Sequence, residues 1–585
     1  MTPETGSPRG ERGAWDARRA AISDVALIVL ASVPLYMLYP AAGGVQNWQE
    51  ATRALVAREM QRGGEWIVPT VFGEPYLNKP PLLYWLTVAI AGVRGGEVTL
   101  ADARLAAGLA AAAGVVATYL VARPLWRRLG SGAASPRAFA LWSAALLGTG
   151  VLYFRSARMA EIDILYTGPV VVGVACAWLV IGSGSEKGVR RSGVLLLLAA
   201  GAAALASLAK GPPPLAALLL GSAVAPVVVL SRGFEPGAAT GRGKAVCAVV
   251  GAIVFLVAGL LAPEDDRSLL GLFLFGALGA TLAAWLVDAF RPRALRVWRP
   301  FLWRTQPWLV GLAGAGALWL WLLLASSSVG VGEVNATVGG QASHNLELFA
   351  PNAASRNLGY LAYAVGVGSA FALAGFVWSI RERLRPSPLF ALLLVWLVLG
   401  FAMFSLFGKG VARYMTPMWP GVAMLGALTI LEFSHRLPRA SRMIRGGAFA
   451  AVVVLGAGQA LWYTAGRSVW QDPESADRLA ARMNTLEVDP PSLVFINDDL
   501  RELEFVIDRR IRFFDIDDEP AAGDQLAALV DEGRPVVALT LDDDARRDLG
   551  AFADRFGVVF TPLDPAADPP RFVRLSRPER GSPAD

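Results

Sequence analysis

The sequence has 585 residues, of which 54% are hydrophobic and only 17% are charged, whereas soluble proteins carry about 25% charged residues. Apolar segments close to the length of a bilayer crossing recur up to residue 466, which excludes a soluble globular protein and indicates a polytopic α-helical membrane protein. The net charge of +6 does not indicate a nucleic acid partner, because lysine and arginine accumulate in the cytoplasmic loops of membrane proteins. Cys176 and Cys247 lie in separate apolar segments, so no disulfide or zinc–cysteine framework is predicted.

The N-terminal tail, residues 1–21, is polar and rich in arginine, which favours a cytoplasmic N-terminus. The apolar segment Ile22–Tyr39 follows it without a clear cleavage pattern and is interpreted as a retained signal anchor. Leu82–Val93 is too short to be counted as a span. Twelve further spans are predicted near Ala101–Ala122, Ala138–Phe154, Ile164–Gly182, Gly193–Leu208, Pro214–Leu230, Ala245–Ala262, Leu269–Phe290, Pro307–Leu324, Leu358–Ile380, Leu389–Phe407, Tyr414–Leu431 and Gly446–Tyr463.

Basic residues are concentrated in alternate loops between these spans, as in Arg123–Arg137, Arg291–Arg304 and Arg436–Arg445. This positive-inside pattern places those loops in the cytoplasm and, with thirteen spans, places the C-terminus outside. The same alternation brings a set of charged and polar residues to the outer face: Glu50, Lys79, Asp163, Lys210, His344, Lys409 and Arg413.

The composition divides the chain into a membrane part at 22–466, with an outer loop at 42–100, and a soluble part at 467–585. The soluble part has 26 acidic residues against 15 arginines and no lysine. Alternating strand and helix patterns predict a small α/β domain there. The predicted strands are Ser492–Ile496, Ile511–Ile516, Pro535–Leu541 and Val558–Thr561, and the predicted helices are Asp472–Leu486 and Ala521–Glu532.

The loop stretch Asn47–Leu86 is longer and more charged than a connection between spans requires, and long loops of this kind are usually functional. Glu50 opens an amphipathic helical pattern, and Lys79 precedes Pro80-Pro81. Glu50 is interpreted either as a helix N-terminal carboxylate favoured by the dipole or as an acid/base or metal-binding group. We therefore predict an active-site loop at a membrane surface.

Asp163 directly precedes an apolar span, where a carboxylate is costly and is a functional candidate by default. The alternative is an interfacial ion pair with Arg155 or Arg158. The four outer cations Lys79, Lys210, Lys409 and Arg413 are either snorkelling anchors or a site for an anionic ligand such as a lipid phosphate.

His344, which has Glu347 nearby, is either a ligand of a divalent cation or a solvated loop residue. No other cofactor is suggested by a motif in the sequence.

Several short motifs occur in a fixed order along the chain. They are Ala57-Arg58-Glu59-Met60, Gly64-x-Trp66-x-x-Pro69, Lys79-Pro80-Pro81-Leu82-x-Tyr84-Trp85, Ala103-Arg104-Leu105, Arg158-Met159 with Asp163, Lys210-Gly211-Pro212, and Arg413-Tyr414 with Pro417. Together they resemble the GT-C class of glycosyltransferases that use lipid-linked sugars, which includes the aminoarabinose lipid A transferases and the protein O-mannosyltransferases.

The resemblance implies a GT-C membrane domain of about 13 transmembrane helices followed by a periplasmic α/β domain. It also implies an inverting transferase at the outer face of a bacterial inner membrane, which moves a sugar from a polyprenyl-phosphate donor to a lipid, glycan or protein acceptor. Such a transfer requires no nucleotide or metal cofactor, since the donor carries its own leaving group. A transporter or flippase of lipid-linked sugars, or a catalytically silent binder of them, is the alternative.

By the same resemblance, Glu50 and Asp163 are the candidate catalytic carboxylates. The chain departs from the pattern at two positions, because Gln49 replaces the leading acidic residue and Asn78 replaces a glutamate that pairs with a histidine at a zinc site. His344 is left as the one candidate metal ligand. The residues expected to bind substrate are Arg58, Lys79, Tyr84, Lys210, Lys409, Arg413 and Tyr414.

Overall fold

The structure is a computed structural model of the chain. It describes residues 8–42, 44–130, 134–181, 186–231, 249–250, 252–254, 257, 269–336, 351–381, 387–406, 411–466, 476–496, 501–514, 520–532, 535–539, 543–563 and 572–577.

Nine helices in these ranges are long and apolar enough to cross a bilayer. They are Arg18–Met37, Leu100–Leu129, Gly193–Lys210, Pro212–Ser231, Leu272–Ala289, Pro307–Val329, Pro388–Ser405, Ala412–Arg436 and Ser441–Ala465. Two bent helix pairs, Pro136–Gly148 with Val151–Arg158 and Asn352–Tyr363 with Val367–Trp378, raise the number of candidate spans to eleven. The chain is a multi-pass membrane protein, as its composition predicts.

The thirteen predicted spans differ from this set at two places. The predicted span Ile164–Gly182 corresponds to a shorter apolar helix, Ile162–Trp178. The predicted span Ala245–Ala262 lies mostly outside the described residues. Leu82–Arg94 is a second short apolar helix, as expected for a segment that is not long enough to cross.

The two bent pairs meet at their bends, which turn by 60° and 109°. The Leu152 N–H donates a hydrogen bond of 3.0 Å to the Ala364 carbonyl oxygen, so each bend satisfies a backbone group of the other. A Cβ atom on Gly150 would lie 3.1 Å from the Val365 Cα, which explains why a glycine stands at this contact.

The other helices lie in the loops, at span ends and in the C-terminal part. The membrane part includes Trp48–Gly63, Val151–Arg158, Thr167–Trp178, Pro292–Thr305, the 3₁₀ turns Ile162–Ile164 and Ala412–Met418, and the π turns Leu220–Val224 and Trp462–Gly466. The C-terminal part has the helices Ala476–Thr485, Arg501–Ile507, Pro520–Asp531 and Asp543–Phe556 and the 3₁₀ turn Pro490–Ser492.

The C-terminal part is built on a five-stranded mixed sheet. In the following, β1 is Thr70–Val71 and β2 is Glu74–Pro75 in the outer loop; the sheet contains β3 Leu493–Ile496, β4 Arg512–Phe514, β5 Val536–Leu539, β6 Val559–Pro562 and β7 Phe572–Ser576. Its strand order is β4-β3-β5-β7-β6, with β3 parallel to β4 and β5, and β7 antiparallel to β5 and β6. The strands β3, β4, β5 and β6 are close to the four predicted strands. The strand β7 and the helices Arg501–Ile507 and Asp543–Phe556 were not predicted from the sequence.

The C-terminal domain contacts the loop helix, Trp48–Gly63. Phe505 is buried against Ala51, Ala54 and Leu55 on that helix. Arg58 donates a hydrogen bond of 2.9 Å to one Asp508 carboxylate oxygen, and the other oxygen accepts a hydrogen bond of 2.7 Å from Arg62. The domain is therefore joined to the outer loop by both apolar packing and ion pairs.

Candidate active site

Asp163 lies in the 3₁₀ turn Ile162–Ile164, directly before the helix Thr167–Trp178, and its side chain is buried. Its carboxylate accepts a hydrogen bond of 2.6 Å from the Tyr166 hydroxyl and forms an ion pair with the Lys210 ammonium group. The predicted alternative, a pair with Arg155 or Arg158, is wrong, because the partner is a lysine 47 positions along the chain.

Lys210 is brought to Asp163 by the end of its own helix. The helix Glu186–Lys210 ends at Lys210, where a cation is favoured by the helix dipole. Gly211 then adopts φ 85°, a conformation that favours glycine, and Pro212 begins the next helix. The motif Lys210-Gly211-Pro212 thus makes a sharp turn that holds the ammonium group at the helix end.

Two further cations lie beside this pair. The Lys210 Nζ is 4.1 Å from the centre of the Tyr414 ring, and the Arg413 guanidinium carbon is 5.7 Å from the same centre. Burial, together with the charges of Lys210, Arg53 and Arg413, lowers the pKa of Lys79 to about 8, and the Asp163 carboxylate opposes this shift. We call Asp163, Lys79, Lys210, Arg413 and Tyr414 the Asp163 cluster.

The three cations of the Asp163 cluster, Lys79, Lys210 and Arg413, outnumber its one carboxylate. The neighbouring ion pair of Arg53 and Glu161 adds no net charge. Like charges brought together at a partly buried site repel one another. An anionic ligand that binds among them would relieve this repulsion, and a phosphate has the charge and the acceptor oxygens for ammonium and guanidinium donors.

Tyr84 has a buried hydroxyl that finds no hydrogen-bond partner among the described residues. Buried polar groups are normally hydrogen-bonded, so this hydroxyl is available to a bound molecule. The side chain lies close enough to Tyr76 and to Arg53 to interact with them electrostatically. The substrate-binding role that the sequence predicts for Tyr84 stays a prediction.

Glu50, the other predicted catalytic carboxylate, lies in a different environment. Its two oxygens accept hydrogen bonds of 2.6 and 2.7 Å from Arg104, and they also accept from the backbone N–H groups of Ala160 and Gln46. The Glu50 N–H is capped by the Asn47 side chain at 2.9 Å.

The Glu50 side chain is buried and its oxygens are used within the protein, so the structure gives Glu50 a role in fixing the loop, and its catalytic role stays a prediction. Arg104 completes this structural pair by donating to the backbone carbonyl groups of Pro40, Ala42 and Gly44. We call this arrangement the Glu50 clamp, because it fixes the beginning of the outer loop to the helix Leu100–Leu129.

A second ion pair joins the loop helix to the turn that carries Asp163. The Arg53 guanidinium donates to the Glu161 carboxylate at 2.9 Å and to the Ala160 carbonyl oxygen at 2.6 Å. Glu161 is two residues before Asp163, so Arg53 fixes the backbone of the cluster. Arg53, Glu161 and Tyr166 were not singled out from the sequence; the spacing of Tyr166 three residues after Asp163 in a helical turn is the one signal that indicates a contact.

Arg158, the predicted alternative partner of Asp163, donates hydrogen bonds to backbone carbonyl groups instead. It donates to the carbonyl oxygen of Tyr36 at 3.0 Å and to that of Leu38, both at the end of the first span. It also donates to the carbonyl oxygen of Tyr463 at 3.2 Å, at the end of the last described span. Arg158 therefore joins three segments that are far apart in the sequence.

Arg58, predicted to bind substrate, is engaged with the C-terminal domain. Besides Asp508, its guanidinium contacts the Val98 carbonyl oxygen at 3.3 Å and lies 4.3 Å from the centre of the Phe505 ring. The structure gives Arg58 a role in domain docking, and its role in substrate binding stays a prediction.

Lys409 and His344 lie outside the described residues, so the structure places neither of them. Within the described ranges, no three His, Cys, Asp or Glu side chains come together as a metal site. The divalent cation expected at His344 therefore stays a prediction.

Comparison with known proteins extends this picture. No family profile matches the sequence. An undecaprenyl phosphate-alpha-4-amino-4-deoxy-L-arabinose arabinosyl transferase of Pseudomonas aeruginosa is 30% identical over 175 residues, which are 30% of this chain and 30% of that protein. The protein of the same name from Edwardsiella ictaluri is 30% identical over 168 residues, 28% of this chain and 29% of its own length. The chain thus matches about 30% of the length of these curated relatives.

The solved structures give a likeness over the whole chain. The apo crystal structure of ArnT from Cupriavidus metallidurans superimposes with a TM-score of 0.57 at 17% identity, covering 96% of this chain and 100% of that one. The crystal structure of the same protein bound to undecaprenyl phosphate has a TM-score of 0.56 at 15% identity, covering 96% and 99%. The chain has the GT-C fold. The GT-C architecture that the motifs indicated, a helical membrane part with a small C-terminal sheet domain, is confirmed.

Proposed function

We propose that this chain is an inverting glycosyltransferase that moves a sugar from a polyprenyl-phosphate donor to a hydroxyl group of a lipid, glycan or protein acceptor at a membrane surface. The observation that carries the proposal is the Asp163 cluster, in which one buried carboxylate lies among three cations on a GT-C fold. The undecaprenyl phosphate in the name of the curated relatives and in the ArnT crystal structure supports the phosphate as the ligand of these cations.

The chemistry is a single displacement at the anomeric carbon of the donor sugar. The acceptor oxygen forms a bond to that carbon, the bond from carbon to the phosphate oxygen breaks, and the electron pair leaves with the polyprenyl phosphate. Lys79, Lys210 and Arg413 stabilise the charge that develops on the phosphate. Asp163 takes up the proton of the acceptor, a role for which a carboxylate within hydrogen-bond reach is suited.

The ion pair with Lys210 connects donor binding to this step. A lysine ammonium group has three donors, so Lys210 reorients toward the phosphate when the donor binds. The Asp163 carboxylate then has a lone pair for the acceptor hydroxyl, while Tyr166 keeps it in position. Binding of the polyprenyl-phosphate sugar thus frees the Asp163 carboxylate. Asp163 therefore takes up the acceptor proton only in enzyme molecules that have this sugar donor bound.

The direct test uses the purified full-length chain in nanodiscs with a polyprenyl-phosphate sugar and a crude envelope-lipid acceptor fraction. We expect Lys210→Gln to lose polyprenyl phosphate in native mass spectrometry and Asp163→Asn to bind it but transfer no sugar. Wild-type protein that binds polyprenyl phosphate without transfer to any envelope fraction would contradict an enzyme and favour a silent binder. Movement of intact donor across proteoliposomes would favour a flippase.

We further propose that the site faces the outside of a bacterial inner membrane, with the N-terminus in the cytoplasm and the domain at 467–585 in the periplasm. The alternation of basic loops supports this orientation. A protease added to intact spheroplasts is expected to cleave the C-terminal domain, and protection of that domain would contradict the topology.

A further inference from the structure

A cavity of about 340 Å³ lies between the outer loop and the C-terminal domain, away from the Asp163 cluster. One wall is the hairpin of β1 and β2, and the other is formed by β4 with the end of the helix Arg501–Ile507. Ligand pockets are commonly about 300–1,000 Å³. The cavity, which we call the hairpin cleft, therefore has room for a small ligand or for the end of a larger one.

The hairpin wall of the cleft is held in a strained conformation. Phe72 and Gly73 have φ values of 53° and 81°, and positive φ at both central positions is the geometry of a tight hairpin turn that favours Asn-Gly. A phenylalanine in the left-handed region is strained, because its Cβ atom crowds the backbone there. The half-buried Phe72 ring packs against the apolar cluster that contains Ala51 and Phe505, and it also lines the cleft.

Glu59 of the loop helix compensates for this strain. Its carboxylate accepts hydrogen bonds from the Thr70 hydroxyl at 2.7 Å, from the Gly73 N–H at 3.1 Å and from the Phe72 N–H. All three donors belong to the turn, so one side chain fixes the hairpin. The Phe72 ring is thereby positioned at the cleft before any ligand arrives.

The opposite wall contributes an aromatic ring that is only about half buried. Phe513 is on β4, an edge strand of the sheet, and is 46% exposed, whereas its neighbour Phe514 is buried in the domain core. Tyr76 adds a third ring from the hairpin side. The buried Phe495 of β3 is the fourth aromatic residue of the lining. Aromatic rings that line one cavity from separate elements are suited to stacking against a flat, partly apolar ligand.

Charged groups complete the lining. Glu74 and Arg510 are exposed residues of the cleft, and Glu504 is buried, with its carboxylate fixed by the Ile511 N–H at 2.8 Å. Carboxylates accept hydrogen bonds from hydroxyl groups and the guanidinium donates them. A ligand with apolar ring faces and hydroxyl groups around its edge matches both features, and this combination is that of a carbohydrate.

The position of the cleft relative to the cations is also informative. Tyr76 is three residues before Lys79, and three residues of extended chain span at most about 11 Å. The Cα atoms of Tyr76 in the cleft and Lys79 in the Asp163 cluster are therefore no more than about 11 Å apart. This distance fits an acceptor whose carbohydrate part is held away from the reacting group.

We propose that the hairpin cleft is a carbohydrate-binding site, which holds the glycan part of the acceptor. The second half of this inference rests on the proposed transferase function, whereas the binding of carbohydrate itself does not. A peptide acceptor is the competing occupant, and the test distinguishes the two.

The experiment is saturation-transfer difference NMR on the full-length chain in nanodiscs, with the disaccharide of N-acetylglucosamine and with an Ala-Ser-Ala peptide as separate probes. We expect saturation transfer to the disaccharide, strongest at its ring C–H protons. Phe72→Leu removes the aromatic face while it keeps an apolar side chain against the cluster around Phe505, so the variant folds. We expect that variant and Phe513→Ala each to lower the affinity for the disaccharide about tenfold, which corresponds to about 1.4 kcal/mol of binding free energy.

Phe560→Ala is the matched control, because Phe560 is 39% exposed on β6, at the opposite edge of the same sheet. It should leave the disaccharide affinity unchanged. Saturation transfer to the peptide alone, or none to the disaccharide, would overturn the proposal. Equal disaccharide affinities in the Phe72 variant, the Phe513 variant and the control would also overturn it. Lys210→Gln should abolish donor binding but keep the disaccharide, which separates a failure of this site from a failure of the transferase function.

Discussion

Glu50 and Asp163 are both buried carboxylates, and the pattern of basic loops predicts both of them on the outer face. Each forms an ion pair with a basic side chain from a helix that is distant in the sequence. Their remaining neighbours are different. The Glu50 clamp uses both oxygens on Arg104 and two backbone N–H groups, and Arg104 in turn saturates three carbonyl groups. Asp163 has one tyrosine hydroxyl and one lysine, and further cations lie nearby.

The difference between the two regions shows how one pair of residue types acquires two roles. A carboxylate whose acceptors are all used by fixed donors holds segments together, since any change of partner costs a buried hydrogen bond. A carboxylate that pairs with an ammonium group among other cations is in a different position. When an anion binds there, the ammonium group can turn to the anion, and the carboxylate can take another partner. The first arrangement is suited to stability and the second to binding and proton transfer.

The largest effect is expected from Asp163→Asn. An amide cannot take up the acceptor proton, and loss of a general base costs about 10²–10⁴-fold in rate. Sugar transfer per folded molecule should fall by that factor, measured with labelled donor in nanodiscs. Asp102→Asn, which changes a buried carboxylate paired with Arg94, is the control and should retain transfer. Full transfer by the Asp163 variant would remove the distinction between the two regions.

Glu50→Gln tests the other side of the comparison. Removing one partner of a buried ion pair costs about 3–5 kcal/mol, because the Arg104 charge stays buried without its counter-ion. The free energy of unfolding in a denaturing detergent titration should fall by this amount, while transfer per folded molecule is kept. A variant with wild-type stability and no activity would instead make Glu50 a catalytic residue.

Lys79→Ala examines the cations without touching Asp163. A hydrogen bond to a charged group contributes about 1.5–3 kcal/mol, so polyprenyl-phosphate affinity should fall by about 10–100-fold. Native mass spectrometry against a lipid titration measures the change. Trp48→Ala, at an exposed side chain of the loop helix, is a control that should not alter the affinity.

The pH dependence of donor binding gives a smaller effect. Since the pKa of Lys79 is about 8, its ammonium form is lost as the pH rises from 7 to 9.5, and donor affinity should decrease over this range by up to about tenfold. Lys79→Arg keeps its charge and should flatten the profile. In the unfolded chain the pKa of a lysine is about 10.4. Between about pH 8 and pH 10.4 the unfolded chain therefore binds more protons than the folded one, so Lys79 makes the free energy of unfolding rise with pH in that range.

The smallest effect is expected where the C-terminal domain is docked. Arg58 and Asp508 form a partly exposed pair, and such pairs contribute about 0.2–1 kcal/mol. A double-mutant cycle of Arg58→Ala and Asp508→Ala, followed by thermal unfolding, should give a coupling energy in this range. If Arg58→Ala alone removed donor binding and left the coupling near zero, the substrate role predicted from the sequence would be correct.

The sequence predicts the membrane architecture well, because a bilayer requires long apolar segments and the order of the motifs indicates the GT-C fold. It predicts less where a helix is bent. The apolar run 138–154 was expected to be one helix, but the chain breaks at Gly148-Thr149-Gly150, because Gly150 has to fit against the bend at Val365. Contacts of this kind belong to the packing of two segments and leave no signal in either one.

The charged residues were identified from the sequence, but their pairing was not. The alternation of loops placed Asp163 and Lys210 on one face, whereas the link between them across 47 positions depends on a turn at Gly211. Arg104 was noted as part of a motif, yet its capture of Glu50 depends on how two helices pack 54 positions apart. Residue types thus indicate which groups matter, and the fold decides which of them stay open to a ligand.

Arg158 has a consequence for how the chain is made. Its guanidinium binds carbonyl oxygens at the end of the first span and at Tyr463, near the end of the membrane part. During synthesis from the N-terminus, the last of these acceptors emerges about three hundred residues after Arg158. The contacts of Arg158 are therefore complete only when the final span has been inserted, so a chain truncated before Tyr463 would leave this guanidinium without one of its carbonyl partners.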